Sequence, residues 1–303
     1  MKDSLQLPSP LQKIENELTR QFNISLFLKR DDLIHPEISG NKWRKLEYNI
    51  QQAKLENKTC ILTFGGTYSN HITATAKACE LSGLKCIGII RGEKHETLNK
   101  SLQFASDCGM ELMYLDRKNY REKENYDFRF MISDYEISQV YILPEGGANE
   151  LALKGCAEII DEITDEIKNE NHQDFDFICC ACGTGTTLAG IALNLLTHQK
   201  AIGFAVLKHE NLDQEIIGKF KTEVSSINIQ HYPFGGYAKT TSELIQFIKN
   251  FYKDHHILLD YVYTSKMMYG IFDLISKGYF PEYSTIIAVH TGGVMNANVF
   301  NNL

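Results

Sequence analysis

The chain of 303 residues has no excess of positive charge: 31 Lys and Arg stand against 38 Asp and Glu, a formal net charge of −7. That balance excludes nucleic acid and anionic membrane as main partners. No apolar run reaches the roughly 18–20 residues that span a bilayer. The segment Met1–Pro8 lacks the apolar core of a secretory leader, so a cytoplasmic location is expected. The eight cysteines follow no regular spacing, as suits thiols kept reduced. Cys179, Cys180 and Cys182 are close together with His172 near, yet no Cys-x-x-Cys and no second pair at zinc-finger distance occurs, so no metal site is expected. On a strand, Cys180 and Cys182 would share one face and Cys179 the other, as small buried side chains. Internal repeats and low-complexity tracts are missing too. No Gly-Lys-Ser/Thr closes a Walker loop, and the run from Gly183 reads Gly-x-Gly-x-x-Leu rather than the dinucleotide fingerprint.

What is present is an alternation of strand and helix. The length suits roughly two domains, and 43% hydrophobic with 23% charged residues is ordinary for a globular enzyme. Strands are predicted at 24–29, 59–64, 84–90, 110–115, 139–143, 175–181, 201–207, 228–232 and 284–290. Helices are predicted at about 41–56, 69–82, 150–169, 213–221, 241–252 and 266–276. Runs such as Cys86–Ile90 are apolar without alternation, as expected of parallel strands covered on both faces. The class is α/β with open parallel sheets and a boundary near residue 149. Ligands in such sheets bind beyond the C-terminal strand ends, and each glycine-rich turn here follows a strand.

The most informative turn is Gly183-Thr184-Gly185-Thr186-Thr187, between the cysteine strand and a helical run. It sets backbone N–H groups and hydroxyls at the positive end of a helix, which suits a phosphate. A plain threonine-capped helix start is the bland alternative. Far upstream stands Ser39-Gly40-Asn41-Lys42-Trp43-Arg44-Lys45-Leu46-Glu47. A lysine at a helix start, beside Arg44 and Lys45, has its pKa pushed down if the site is dry, which makes an amine nucleophile. Taken alone, this segment reads more readily as an ordinary basic helix terminus at the surface, because lysine-arginine runs are common. A phosphate cradle with such a lysine is what a pyridoxal-phosphate enzyme needs. A second turn, Gly65-Gly66-Thr67-Tyr68-Ser69-Asn70-His71, opens a helix whose N-terminus suits a carboxylate. Within it, Ser69 also reads as a simple N-cap and His71 as a packing or surface residue rather than a base. Tyr237 after Gly235-Gly236, Tyr263, and Thr291 before Gly292-Gly293 complete the candidates, although among fifteen tyrosines any single one is more often packing.

In order and spacing these segments, from residue 29 to 293, resemble the 1-aminocyclopropane-1-carboxylate deaminase and D-cysteine desulfhydrase family. The motif Gly40-Asn41-Lys42-Trp43-Arg44-Lys45-Leu46-Glu47, the pair Ser69-Asn70, the turn Pro144-Glu145-Gly146-Gly147 and the loop Gly183–Thr187 carry the likeness. The resemblance implies a tryptophan-synthase-β-like fold of type II: two open twisted parallel-sheet domains with the cofactor, pyridoxal 5'-phosphate, in the cleft between them. It implies a larger cofactor-anchoring domain at 1–45 and 150–303 and a smaller substrate-side domain at 46–149. Lys42 would carry the cofactor, Ser69 would meet the substrate carboxylate and reacting carbon, and Asn70 the cofactor O3′. Gly183, Thr184, Gly185, Thr186 and Thr187 would hold its phosphate, and Thr291 would border it. Tyr237 and Tyr263 would lie over the substrate. A homodimer and a small amino-acid substrate are further expectations.

Two departures bear on the substrate. The cyclopropane-opening members carry a glutamate after the second tyrosine and a leucine before the late double glycine; here Thr264 and Thr291 stand there. A glutamate would keep the pyridine nitrogen protonated and deepen the electron sink, whereas a threonine would share only a neutral hydrogen bond. The expectation is therefore β-elimination from D-cysteine or a related D-amino acid. Cyclopropane ring opening to 2-oxobutanoate, racemisation, and a cofactor-binding protein without turnover are the alternatives, because one scaffold hosts many chemistries.

Overall fold

A computed structural model describes residues 5–38, 40–94, 96–170, 174–207, 211–220, 226–236 and 239–293. The strands are β1 (Leu11–Ile14), β2 (Ser25–Lys29), β3 (Cys60–Gly65), β4 (Lys85–Arg91), β5 (Met110–Leu115), β6 (Val140–Ile142), β7 (Phe177–Cys182), β8 (Lys200–Ala205), β9 (Ile227–His231) and β10 (Thr285–Val289). The helices are α1 (Glu17–Gln21), α2 (Asn41–Leu55), α3 (Asn70–Ser82), α4 (Lys100–Asp107), α5 (Arg117–Arg121), α6 (Glu150–Ile167), α7 (Thr186–Leu193), α8 (Leu212–Phe220), α9 (Ser242–His255) and α10 (Thr264–Ser276). The chain divides into two compact units, one built on Lys42–Ala152 and the other on Gln6–Asn41 with Leu153 onward.

The second unit holds a six-stranded sheet in the order β1-β2-β10-β7-β8-β9. Its four central strands, β2, β10, β7 and β8, are largely buried, and the two faces carry different cores. Leu26, Leu28, Cys179, Ala181, Ile286 and Ala288 meet Met267, Met268 and Ile271 of α10. Phe27, Ile178, Cys180, Cys182 and Val289 meet Ile159 and Ile163 of α6 and Leu188 of α7. The period of two therefore sorts the cysteines as expected, Cys179 to one face and Cys180 with Cys182 to the other. Burial raises the Cys179 thiol pKa, so it stays an inert thiol. Among the described residues no group of His, Cys, Asp or Glu could hold a metal, and no helix is long and apolar enough to cross a membrane.

One edge departs from the all-parallel expectation. β1 pairs antiparallel with β2, Leu11 opposite Lys29 and Ile14 opposite Leu26. The turn-and-helix connection through α1, capped by Asn16, is too short for a right-handed parallel crossover, so the strand comes back as an edge partner. The first unit holds the four-stranded order β5-β4-β3-β6, parallel in every pair. One of its faces packs Leu62, Phe64, Ile87 and Ile89 on Tyr120 and Phe128.

Lys29, at the end of β2, is fully buried. Its ammonium lies 2.9 Å from Glu162 and 2.9 Å from Glu166 on α6 and donates to the Ser9 carbonyl. Ser9 in turn donates from its hydroxyl to Asp31 at 2.7 Å. The cluster ties the entry segment, β2 and α6 together by charge in a dry place. Replacing Lys29 with Met would strand the two glutamates. Because both are partly exposed, the expected cost lies at the low end of about 3–5 kcal/mol, measured as the loss of unfolding free energy in urea.

Candidate active site

β7 runs into Gly183-Thr184-Gly185, and α7 begins at Thr186. Gly185 is the N-cap residue with φ +73°, and no side chain caps the helix. The first N–H groups of α7 also lack intrahelical acceptors. A Cβ on Gly185 would come within 2.3 Å of the Ile216 side chain, so the loop admits only glycine there. Thr184 and Thr186 hydroxyls lie 2.9 Å apart, and Thr186 and Thr187 are buried. The result is an uncapped cluster of N–H and hydroxyl donors at a helix N-terminus.

Two further segments, the start of α2 and the stretch just past β10, join this loop within the same unit. The Asn41 side-chain amide donates to Thr187 Oγ1 at 2.8 Å, and the Asn41 backbone N–H points to the Thr291 carbonyl at 3.4 Å. Gly40 has φ +53°, and a Cβ there would sit 2.1 Å from the same carbonyl oxygen. Just beyond β10, His290 Nδ1 accepts from Gly292 N–H at 3.2 Å. Its Nε2 donates to the Leu258 carbonyl at 2.7 Å, so both ring nitrogens are engaged in shaping the turn. Tyr263 faces the loop: a Cβ on Gly183 would lie 3.4 Å from its ring. The structure thus gathers Gly183–Thr187, Thr291 and Tyr263. Tyr237 and Ser39 lie outside the described residues.

Tyr263 precedes α10, and the start of that helix differs from expectation. Asp260 accepts backbone N–H groups from Val262 at 2.8 Å, Tyr263 at 2.9 Å and Thr264 at 2.7 Å. It also accepts the Thr264 hydroxyl at 2.6 Å. The neutral hydrogen bond expected from Thr264 to a cofactor ring is therefore corrected: its one proton goes to Asp260. The neighbouring Ser265 hydroxyl is buried and has no partner. Asp260 draws the helix start forward to Thr264, two residues ahead of the predicted Lys266. Its spacing of four before Thr264 was the available signal for this cap.

The first unit carries the other candidates. Lys42 is half-buried on α2, and Arg44 and Lys45 are buried. Covalently it follows Asn41, the residue bonded to Thr187. Ser69 caps α3, its Oγ accepting from Ile72 N–H at a long 3.4 Å, and Asn70 is the first helical residue. His71 is buried rather than a surface residue. Its Nε2 lies 2.7 Å from the Thr63 hydroxyl, whose single proton already goes to the Leu143 carbonyl at 3.0 Å. Nε2 is therefore the donor, and Nδ1 keeps a bare lone pair that is buried and unpartnered. Burial, then the charges of Lys42 and Lys45, lower the His71 pKa to about 3. The two cations thus act on a neutral imidazole.

The chain belongs to the family described as pyridoxal-phosphate-dependent enzyme, whose profile matches residues 3–292. Within that family it is of the 1-aminocyclopropane-1-carboxylate deaminase and D-cysteine desulfhydrase type. A Thermotoga maritima protein provisionally named a 1-aminocyclopropane-1-carboxylate deaminase is 32% identical over 95% of this chain and 94% of its own length. The mitochondrial bifunctional D-cysteine desulfhydrase/1-aminocyclopropane-1-carboxylate deaminase of Arabidopsis thaliana is 31% identical, covering 89% of this chain and 72% of that one. A crystal structure of an ACC deaminase homologue superposes with a TM-score of 0.78 at 30% identity, over 96% of this chain and 91% of that one. The residues present fit the family's cofactor. An uncapped glycine-threonine loop offers phosphate donors, and an orphaned hydroxyl, that of Ser265, is buried two residues from the tyrosine that faces the loop.

His71 sets a pH dependence whose sign follows from its depressed pKa. Between about 6.5, where an unfolded histidine titrates, and about 3, the unfolded chain takes up a proton that the folded chain refuses. Acid therefore favours unfolding through this group. On acidification from pH 6.5 to 4, the urea midpoint of the parent should fall more steeply than that of a His71→Gln variant.

Proposed function

We propose that this protein is a β-eliminating lyase acting on a small D-amino acid with a leaving group on its β-carbon, D-cysteine foremost. The products are pyruvate, ammonia and sulfide. The observation that carries this reading is the occupation of Asp260. A carboxylate does stand at the start of α10, but three N–H groups and the Thr264 hydroxyl consume it. Among the described residues, the neutral hydroxyls of Ser265, buried and unpartnered, and of Thr291 are the groups proposed to serve a pyridine nitrogen. When bound, pyridoxal phosphate supplies an electron sink for a bond broken at the α-carbon. With neutral partners that sink is shallow: it suffices for loss of an α-proton and disfavours opening a ring whose carbon bears none.

The chain's residues divide the remaining work. The N–H and hydroxyl groups of Gly183–Thr187 hold phosphate charge. Lys42 would hold the cofactor through Nζ, and its free amine would take the substrate's α-proton. Ser69, at the N-terminus of α3, holds the substrate carboxylate by hydroxyl and helix dipole. Asn70 serves the phenolic oxygen, and Tyr263 and Tyr237 screen the reacting face. The Cα–H and Cβ–S bonds break, sulfide leaves with its electron pair, and one water replaces nitrogen to give pyruvate and ammonia.

Purified enzyme loaded with the cofactor should release pyruvate and sulfide from D-cysteine with a higher kcat/KM than that for 2-oxobutanoate from 1-aminocyclopropane-1-carboxylate. The reverse order, or no turnover of any small D-amino acid, overturns the reading. Lys42→Ala should lower kcat by about 10²–10⁴-fold with its melting temperature retained, and borohydride treatment of the parent should place the label on Lys42. Turnover by that variant at the parent rate would sink the role given to Lys42.

A further inference from the structure

Lys266, on the first turn of α10, is fully buried and plays no part in the chemistry above. Its ammonium donates to the carbonyls of Val206 at 3.2 Å, Pro233 at 2.9 Å and Gly236 at 2.9 Å. All three ammonium protons are thereby matched by main-chain oxygens, and among the described residues no carboxylate pairs with it. Asp260 acts on it only at a distance, and burial lowers its pKa.

The three oxygens come from separate stretches of the chain. Val206 directly follows β8. Pro233 and Gly236 are the two ends of a turn closed by Gly236 N–H on the Pro233 carbonyl at 2.8 Å. That turn runs through left-handed backbone at Phe234, φ +46°, Gly235, φ +88°, and Gly236, φ +119°. The glycines adopt such backbone freely, but at Phe234 it is unfavourable and persists only when its surroundings hold it. Gly236 is followed in the chain by Tyr237, and Lys266 stands three residues after Tyr263. One buried charge therefore joins the end of β8, the turn that leads into one candidate tyrosine and the helix that begins at the other.

We propose that Lys266 is a positioning residue that acts as a tethered monovalent cation. Its ammonium occupies a three-carbonyl site that would otherwise take a free ammonium or potassium ion, and so holds the Pro233–Gly236 turn against α10. A lone ammonium surrounded by carbonyl dipoles is the arrangement by which backbone oxygens replace the hydration shell of a monovalent ion. Removing the amine leaves three converging oxygens without a donor, a costly state that a cation of similar size relieves. The expected effect on turnover rests on the function proposed above; the effect on stability does not.

The test is Lys266→Ala, melted without cofactor in potassium, ammonium or tetramethylammonium chloride at equal ionic strength. Potassium and ammonium should raise its melting temperature saturably, the bulky tetramethylammonium should not, and the parent should respond alike to all three. With the cofactor bound, kcat for the elimination should fall about 10–100-fold and recover over the same concentrations of potassium. Lys266→Met, whose thioether fills the space, should be impaired and beyond such rescue. An identical response of Lys266→Ala to the three salts, failure of that variant to fold in any of them, or parent-like activity of Lys266→Met overturns the proposal. Cation-dependent melting without turnover of any amino acid would support the tether and count only against the proposed reaction.

Discussion

The site depends on how Asn41 is held. Its side-chain amide is spent on Thr187 and its backbone N–H faces the Thr291 carbonyl, with Gly40 pressed so close to that carbonyl that no side chain fits. These contacts join three distant stretches, the start of α2, the glycine-threonine loop after β7 and the segment just past β10. Because the next residue is Lys42, one peptide bond carries the lysine from that junction. A hydrogen bond of this sort contributes little net stability. Its value lies in fixing where the chain leaves the sheet, since positioning governs reactivity far more than it governs folding.

Within the two units, buried polar groups are handled by different means. Asp260 is neutralised by N–H groups and a hydroxyl, Lys29 by two glutamates and a carbonyl, and Lys266 by three carbonyls. His71 is instead kept uncharged, with a lone pair directed by Thr63. Each solution costs desolvation and returns geometry. The outcome near α10 is chemical as well as structural. A carboxylate present in the sequence is taken up by the N–H groups and hydroxyl at the start of the helix that follows it, while the neighbouring Ser265 hydroxyl is left without a partner.

Much of the fold was legible. The continuous apolar runs at Cys86–Ile90 and Ile286–Val289 announced parallel strands covered on both faces, because such strands have no polar side to alternate with. The cysteine triplet sorted by period two onto opposite faces, as its spacing required. The short antiparallel β1 and the single-turn α1 escaped notice, since strands of four residues and helices of five carry too little periodicity to stand out. Of the site, the lysine motif and the glycine-threonine loop were visible as local patterns. Thr264 was visible too, but its hydrogen-bond partner was not, and His71 passed for a packing or surface residue.

The amino-acid sequence by itself determined the class of fold, the two glycine turns that open helices, and the presence of a lysine among cations. These are local properties, set by periodicity, capping chemistry and backbone freedom within a few residues. Only the tertiary structure decided which donors remain available: that Asp260 is consumed, that Ser265 is left over, that His71 is dry and neutral, and that Lys266 is a buried cation among carbonyls. Availability depends on what every other nearby group has already bonded, and those neighbours lie tens to hundreds of residues away along the chain.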